Sequence, residues 1–399
     1  MRVLIVSPFI PSPPTEGGRI RVLNLIKHLA QLCQVTLLAP KTPNSTERDA
    51  ELIRGMGVEL IVADEGPGIG VKGLGLIASG HPIPLSKYRL PGFAAKLREL
   101  LERERFDVIE FDMLHAGQYL PLLRRSSLNR STPAVLVEHN IDSFLWLRVF
   151  RAARSPWRKA GALLQAAELR EIERKLCPQF DLCVCVSEED ARRLKRIAPG
   201  AKVEVVPNGV DTGFFSPMKR EVEPERMVYV GSMDWYPNED AVVYFCDRIL
   251  PLIRREVPEA ELLIVGQSPT ERVRRLGRMR GIYVTGTVED VRPYVASSAV
   301  FIVPLRVGGG TRLKILEALS MGKAVVSTSI GAEGLDLRPG VDLIVEDDPA
   351  GFAEAVVKLM RDERERERLG RNGRERVIER YGWDKMASKL FDLFNRLAR

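Results

Sequence analysis

Short apolar runs recur along the chain, and stretches with helical periodicity lie between many of them. The runs are nearly continuous and rich in Val, Leu and Ile, which is typical of parallel strands buried on both faces. They predict strands at Val3–Val6, Val35–Leu38, Glu59–Val62, Val108–Glu110, Val135–Val137, Leu182–Val186, Val203–Val206, Val228–Val230, Leu262–Val265, Tyr283–Thr285, Val300–Val303, Val325–Ser327 and Leu343–Val345. Helical spacing is clear in Asp240–Arg255 and Arg312–Met321. The alternation predicts an α/β fold with doubly wound parallel sheets.

The number of predicted strands is larger than one ordinary open sheet contains, and we therefore expect a domain boundary. The segment Asn208–Arg226 is the best position, because it contains Gly and Pro residues and has no clear periodicity. The sequence therefore predicts two Rossmann-like domains, residues 1–207 and 208–383. A last amphipathic helix within 384–399 can pack on either of them.

Composition and charge narrow the class of protein without selecting a partner. The 399 residues are 45% apolar and 28% charged, which is ordinary for a globular protein. The net charge of +7 permits anionic partners such as nucleotides, phospholipid headgroups or nucleic acid. Basic and acidic residues alternate through Arg361–Arg380, which indicates a solvated helix and argues against a nucleic-acid partner.

The sequence predicts a cytoplasmic protein. The first apolar run stops at Ser7-Pro8, too early for a signal-peptide core, and no run reaches the roughly 18 apolar residues that a membrane span needs. The five cysteines contain no CxxC pair, and neither a disulfide framework nor a metal site is indicated.

Two glycine-rich turns are candidate ligand loops. Gly17-Gly18 follows the first strand and precedes a helix, where either a plain turn or a ligand loop explains it. Gly308 to Gly310 follow a later strand, and we expect a helix to begin near Thr311. Free backbone N–H groups at such a helix start bind anions. The positive charges of Arg312 and Lys314 are unfavourable in the first turn, and a bound anion such as a diphosphate would explain them.

These motifs resemble glycosyltransferase family 4. The resemblance rests on Val300–Ser327, Val206–Asp211, the block Gly231–Asn238 and the Gly17-Gly18 turn, and it covers essentially the whole chain. It implies a retaining enzyme that uses a nucleotide sugar, with GT-B architecture: two Rossmann-like domains that face a central cleft.

The resemblance also implies roles for residues around the second glycine turn. Members usually carry two Glu separated by seven residues; the second matches Glu317 and binds the nucleotide ribose, whereas the first falls on Gly309. Backbone amides of Gly309 and Gly310 remain to cradle the sugar. The other substrate-binding candidates are Gly17, Gly18, Asn208, Gly231 and Thr311.

A basic pair that many members have is missing here. Many carry an Arg and a Lys after the first strand of the second domain, where this chain has Ser232 and Pro237-Asn238. We infer that Arg312, together with Lys314, supplies the charge that grips the diphosphate.

His139 is the third catalytic candidate, beside Arg312 and Lys314. It follows a predicted strand, where ligands bind in open α/β sheets. In the family, a His in this part of the first domain lines the cleft near the donor sugar.

Two further segments concern the acceptor. Phe144–Lys159 interleaves basic and aromatic residues; it is either an amphipathic helix resting on an anionic membrane or an ordinary helix with extended Arg side chains. Gly66–Tyr88, with its Gly and Pro residues, is a candidate acceptor-side loop.

The leading hypothesis is therefore a glycosyltransferase that moves a sugar to the hydroxyl of a glycan or a lipid-linked acceptor in polysaccharide or glycolipid biosynthesis. The alternatives are a nucleotide-sugar epimerase and a non-catalytic nucleotide-sugar-binding protein. No cofactor or metal is expected. The acidic runs Glu188–Asp190 and Glu346–Asp348 are the obvious metal-binding alternatives, and the first is explained by a helix start.

Overall fold

The parallel strands predicted from the apolar runs are all present. The structure is a computed structural model that describes residues 1–41, 46–64, 85, 89–153 and 155–399. Apart from Leu85, the candidate loop Gly66–Tyr88 lies outside the described residues. One compact unit consists of Met1–Pro207 with Trp383–Arg399, and the other of Asn208–Gly382.

The first unit contains a seven-stranded parallel sheet in the order β3-β2-β1-β4-β5-β6-β7. Its central strands are buried and mostly apolar, for example β1, where Val3 and Leu4 are completely inaccessible. The strands are β1 (Arg2–Val6), β2 (Gln34–Pro40), β3 (Glu59–Ala63), β4 (Val108–Asp112), β5 (Ala134–Glu138), β6 (Leu182–Cys185) and β7 (Val203–Val205).

The second unit contains a six-stranded parallel sheet in the order β10-β9-β8-β11-β12-β13. Its strands are β8 (Glu223–Val230), β9 (Glu261–Val265), β10 (Ile282–Gly286), β11 (Ser298–Val303), β12 (Ala324–Ser327) and β13 (Ile344–Val345). Strand β8 begins inside the segment Asn208–Arg226, which has no clear periodicity. Its first residues, Glu223–Arg226, are largely exposed, so no apolar run marks them in the sequence. The order within each sheet reverses direction once, which is the doubly wound topology.

Helices connect the strands in both units. They are α1 (Gly17–Leu29), α2 (Glu47–Gly55), α3 (Pro91–Arg103), α4 (Met113–Gly117), α5 (Leu120–Arg125), α6 (Asp142–Ala152), α7 (Pro156–Leu176), α8 (Glu188–Ile197), α9 (Tyr236–Tyr244), α10 (Leu250–Glu256), α11 (Glu271–Leu276), α12 (Arg292–Ser297), α13 (Leu313–Ser320), α14 (Ser329–Ala332), α15 (Pro349–Arg361), α16 (Glu363–Arg380) and α17 (Trp383–Leu397). Helix α17 packs on α1 within the first unit and buries Leu390 and Phe394.

The helix expected over Asp240–Arg255 is interrupted. Helix α9 ends at Tyr244, a π-helical turn covers Phe245–Ile249, and α10 begins at Leu250. Pro251 explains the interruption, because proline has no N–H and its ring clashes with the carbonyl four residues earlier. A wider π turn relieves that clash.

Two helical glycines, one in each unit, test how tightly the helices pack within their own unit. Gly161 on α7 has no described atom within 4 Å of the position that a Cβ would take, whereas a Cβ at Gly370 on α16 would overlap the Gly322 carbonyl oxygen. We expect Gly161→Ala to stabilise the first unit by about 0.5–1 kcal/mol, the usual helical gain. Gly370→Ala should instead destabilise the second unit by about 1–3 kcal/mol. Urea unfolding of both variants measures this, and a gain in stability for Gly370→Ala would contradict the packing.

Candidate active site

The second glycine turn leads from β11 into α13. Gly310 has a φ of 64°, the left-handed conformation that glycine adopts without strain. Helix α13 begins at Leu313 with Arg312 as its N-cap residue, two residues later than expected from the sequence. The turn therefore extends through Thr311, and Arg312 stands before the first helical turn rather than in it.

Arg312 folds back on the glycine turn. Its Nη1 donates hydrogen bonds to the carbonyl oxygens of Gly309 and Gly310, the latter at 3.0 Å. A Cβ at Gly308 would overlap the guanidinium. The side chain of Asn208 fixes the same turn from another direction, since its Nδ2 donates to Thr311 Oγ1 at 2.7 Å. Both contacts hold the turn in one shape.

Lys314 points from α13 to the end of β8. Its Nζ lies 3.0 Å from the Tyr229 hydroxyl and 3.0 Å from Asn238 Oδ1. The Tyr229 hydroxyl also donates to Asn238 Oδ1 at 2.7 Å. A Cβ at Gly231 would lie 2.8 Å from Lys314 Nζ, so glycine leaves room for the amine. The ammonium group thus sits beside the stretch in which Ser232 and Asn238 replace the usual basic pair.

Lys314 and Glu317 are three residues apart on α13 and therefore share a face. Burial, reinforced by the charge of Arg312, lowers the pKa of Lys314 to about 7, while Glu317 opposes the change. Burial raises the pKa of Glu317 to about 7, with the charge of Lys314 acting against it. Two titratable groups with pKa values displaced toward neutrality are typical of a functional site.

The remaining predicted residues lie in the first unit. Gly17 and Gly18 open α1, and His139 follows β5 directly. The ring of His139 comes close to α1: a Cβ at Gly18 would be 3.2 Å from its Nδ1. Its Nε2 lies 2.8 Å from Asp112 Oδ1, at the end of the neighbouring strand β4.

The structure thus forms two groups from the predicted residues. Gly17, Gly18 and His139 belong to the first unit, and Asn208, Gly231, Gly309, Gly310, Thr311, Arg312, Lys314 and Glu317 belong to the second. Asp112 and Tyr229 were not predicted from the sequence. Asp112 had a signal, an acidic residue ending an apolar strand, whereas Tyr229 lies inside an apolar run and had none.

The two acidic runs serve helix starts. Ser187 Oγ accepts from the Asp190 N–H at 3.0 Å at the start of α8, and Asp348 Oδ2 accepts from the N–H of Ala350 at 2.9 Å at the start of α15. Within the described ranges, no group of three or more His, Cys, Asp or Glu side chains is placed to hold a metal ion.

The family comparison matches both units. The profile described as "Glycosyltransferase Family 4" matches residues 15–214, and the one described as "Glycosyl transferases group 1" matches residues 224–362. The chain belongs to glycosyltransferase family 4, whose members are retaining enzymes of GT-B architecture.

Curated relatives align along most of the chain. A Klebsiella pneumoniae protein named "Uncharacterized 44.6 kDa protein in cps region" is 21% identical over 98% of this chain and 99% of its own length. The phosphatidyl-myo-inositol mannosyltransferase of Mycobacterium leprae is 27% identical over 88% of this chain and 91% of its own.

Solved structures share the fold. Sucrose-phosphate synthase from Thermosynechococcus elongatus superimposes with a TM-score of 0.76 at 19% identity, covering 100% of this chain and 99% of the other. The Anabaena protein HepE in complex with UDP-glucose gives 0.68 at 13% identity, covering 99% and 100%. In the part of the chain that the structure describes, no helix combines the length and the apolar character needed to cross a bilayer.

The lowered pKa of Lys314 predicts a pH-dependent stability cost. Below pH about 7 the folded protein holds a buried ammonium, whereas the unfolded lysine keeps its ordinary pKa near 10.5. Between these values the unfolded state binds more protons, so stability rises with pH. We therefore expect Lys314→Met to stabilise the second unit most at about pH 7 and progressively less toward pH 10, as measured by urea unfolding. Lys358→Met, at an exposed lysine, is the control. A stabilisation by Lys314→Met that does not change with pH would refute the lowered pKa of Lys314.

Proposed function

We propose that the protein transfers a sugar, with retention, from a nucleoside diphosphate sugar to an acceptor hydroxyl. The observation that carries the proposal is the position of the Lys314 ammonium. It lies beside Gly231 at the carboxyl end of β8, next to the rigid glycine turn and on the same face of α13 as Glu317. Phosphates bind where parallel strands end and helices begin.

Each group near α13 has a role in this proposal. Lys314 balances the charge of the diphosphate, and Glu317 accepts hydrogen bonds from ribose hydroxyls. Gly309 and Gly310 offer backbone amides to the sugar. Arg312 holds the turn that presents those amides, since its guanidinium contacts the turn's own carbonyls.

The chemistry follows from where charge develops. As the sugar–phosphate bond breaks, negative charge grows on the leaving diphosphate, and a fixed ammonium with oriented amides stabilises it. The departing phosphate helps remove the acceptor proton, so no carboxylate nucleophile is required, in contrast to retaining glycoside hydrolases. His139 lines the position of the transferred sugar. A divalent cation beside Lys314 would meet like charge, and we expect activity to persist in EDTA.

The relatives support a sugar nucleotide as donor and a lipid or polysaccharide as acceptor. One solved neighbour holds UDP-glucose, and one relative is named a phosphatidyl-myo-inositol mannosyltransferase. Another is named for a cps region. We propose that the acceptor is a lipid-linked or growing glycan at the inner face of the cell membrane.

Helix α7 supplies a surface for such a membrane. The segment predicted as one helix is divided: Phe144 and Trp146 on α6 pack on the core of the first unit, which fits the ordinary-helix interpretation. On α7, by contrast, Trp157 is 85% exposed and Leu164 57% exposed. They are seven residues apart and share a face, and the exposed basic residues Arg158 and Lys159 follow Trp157 in the first turn of the helix. Apolar and basic side chains together bind anionic lipid.

The donor class is tested by incubating the protein with UDP-, GDP-, ADP- and dTDP-sugars. Thermal shift identifies the donor, because a ligand of the folded state raises its stability. Transfer to a membrane lipid extract, read as a new glycolipid with the donor's anomeric configuration, supports the proposal. Epimerised donor without acceptor would indicate an epimerase, and binding without turnover a non-catalytic binding protein.

Glu317→Ala should fold normally and lose donor affinity about tenfold or more. Losing hydrogen bonds to a charged group costs about 1.5–3 kcal/mol. Titration calorimetry with the donor found above measures the loss, and the exposed Glu354→Ala on α15 is the matched control. Donor affinity within about twofold of wild type would exclude the ribose assignment.

The double variant Trp157→Ala/Leu164→Ala should bind anionic vesicles markedly less than wild type does. Its apolar side chains no longer enter the lipid interface. Flotation with phosphatidylglycerol and phosphatidylcholine vesicles compares it with Leu52→Ala, an exposed leucine of the same unit. Equal binding by the two variants would refute the α7 surface.

A further inference from the structure

The end of β4 holds a buried carboxylate that does not act as a helix cap. Asp112 occupies the N-cap position of α4, where an Asp side chain ordinarily accepts a backbone N–H. Among the described residues its side chain makes no such capping bond. Its Oδ1 instead lies 2.8 Å from His139 Nε2.

The backbone beside Asp112 is strained. Met113 has a φ of 68°, in the left-handed region that a long side chain rarely adopts. Such a conformation costs about 1–3 kcal/mol and persists where the surroundings impose it, commonly at functional sites. Met113 follows Asp112 directly, and its left-handed conformation turns the chain at the carboxyl end of β4, beside the end of β5 that His139 follows.

The other ring nitrogen of His139 faces the start of α1. His139 is 8% exposed, and its buried Nδ1 has no hydrogen-bond partner within the described part of the chain. A Cβ at Gly18 would lie 3.2 Å from that nitrogen, so glycine lets the ring approach the start of α1 closely. The amino terminus of α1, a helix of 13 residues, carries partial positive charge, which favours a bare nitrogen over an N–H there.

We propose that Asp112 is a positioning residue that holds His139 in the tautomer protonated at Nε2. The ring then donates its N–H to Asp112 and presents the Nδ1 lone pair beside Gly18. Nδ1 accepts a hydrogen bond from a hydroxyl of the sugar substrate and does not donate one. The hydrogen bond to the sugar rests on the proposed glycosyl transfer, whereas the tautomer of His139 does not.

Nuclear magnetic resonance of protein labelled with ¹⁵N-histidine tests the tautomer directly. The chain has only four His, so the ring signals can be assigned with His139→Gln as reference. At about pH 8, above the ordinary His pKa, long-range proton–nitrogen correlations should show a protonated Nε2 and a bare Nδ1 for His139. A proton on Nδ1, in the other tautomer or in imidazolium, would overturn the inference.

Asp112→Asn provides the second arm. An amide can donate to Nε2, so we expect the proton of His139 to move to Nδ1 and kcat to fall about tenfold or more. Nucleoside diphosphate affinity should stay within about twofold, because the residues proposed to bind the nucleotide, Lys314 and Glu317, belong to the second unit. Unchanged tautomer and kcat would overturn the inference and leave the proposed function intact. If the variant does not fold, the wild-type spectrum decides alone.

Discussion

Parallel strands buried on both faces leave only their ends for polar chemistry. In each unit the sheet interior is largely apolar, with Glu110 in β4 as a buried exception. The polar side chains of the candidate sites stand where strands finish: Asp112 and His139 in the first unit, and the surroundings of Gly231 in the second. The carboxyl ends of parallel strands meet at one edge, so side chains distant in sequence become neighbours there. The two candidate groups follow from this constraint.

In the second unit, the positive charge at the end of β8 comes from a lysine on a different element, Lys314 on α13. The residues Ser232–Asn238 that follow β8 include no basic side chain, and the Lys314 amine reaches this stretch from α13. Three features make that reach possible: Gly231 has no side chain, Asn238 offers an acceptor, and the Tyr229 ring lies 4.2 Å from Nζ. The cost of burying the amine appears as its lowered pKa.

Much of the fold could be predicted from the sequence because apolar runs report buried parallel strands directly. The runs did not reveal the exposed start of β8 or the π turn before Pro251, since periodicity averages over such local detail. Local motifs located the glycine turn and Glu317. They placed Arg312 in the first helical turn, whereas it is the N-cap residue, and they did not indicate Asp112 or Tyr229, whose importance arises from contacts between separate strands and helices. Such long-range contacts leave no periodic signal.

Recognition of the diphosphate by the Lys314 ammonium can be measured directly. The most direct measurement compares calorimetric affinities of wild type and Lys314→Met for a nucleoside diphosphate and for the corresponding nucleoside. We expect Lys314→Met to lose affinity for the diphosphate by about tenfold or more, over 1.36 kcal/mol, and to lose almost none for the nucleoside. Equal losses for both ligands, or no loss for the diphosphate, would contradict it.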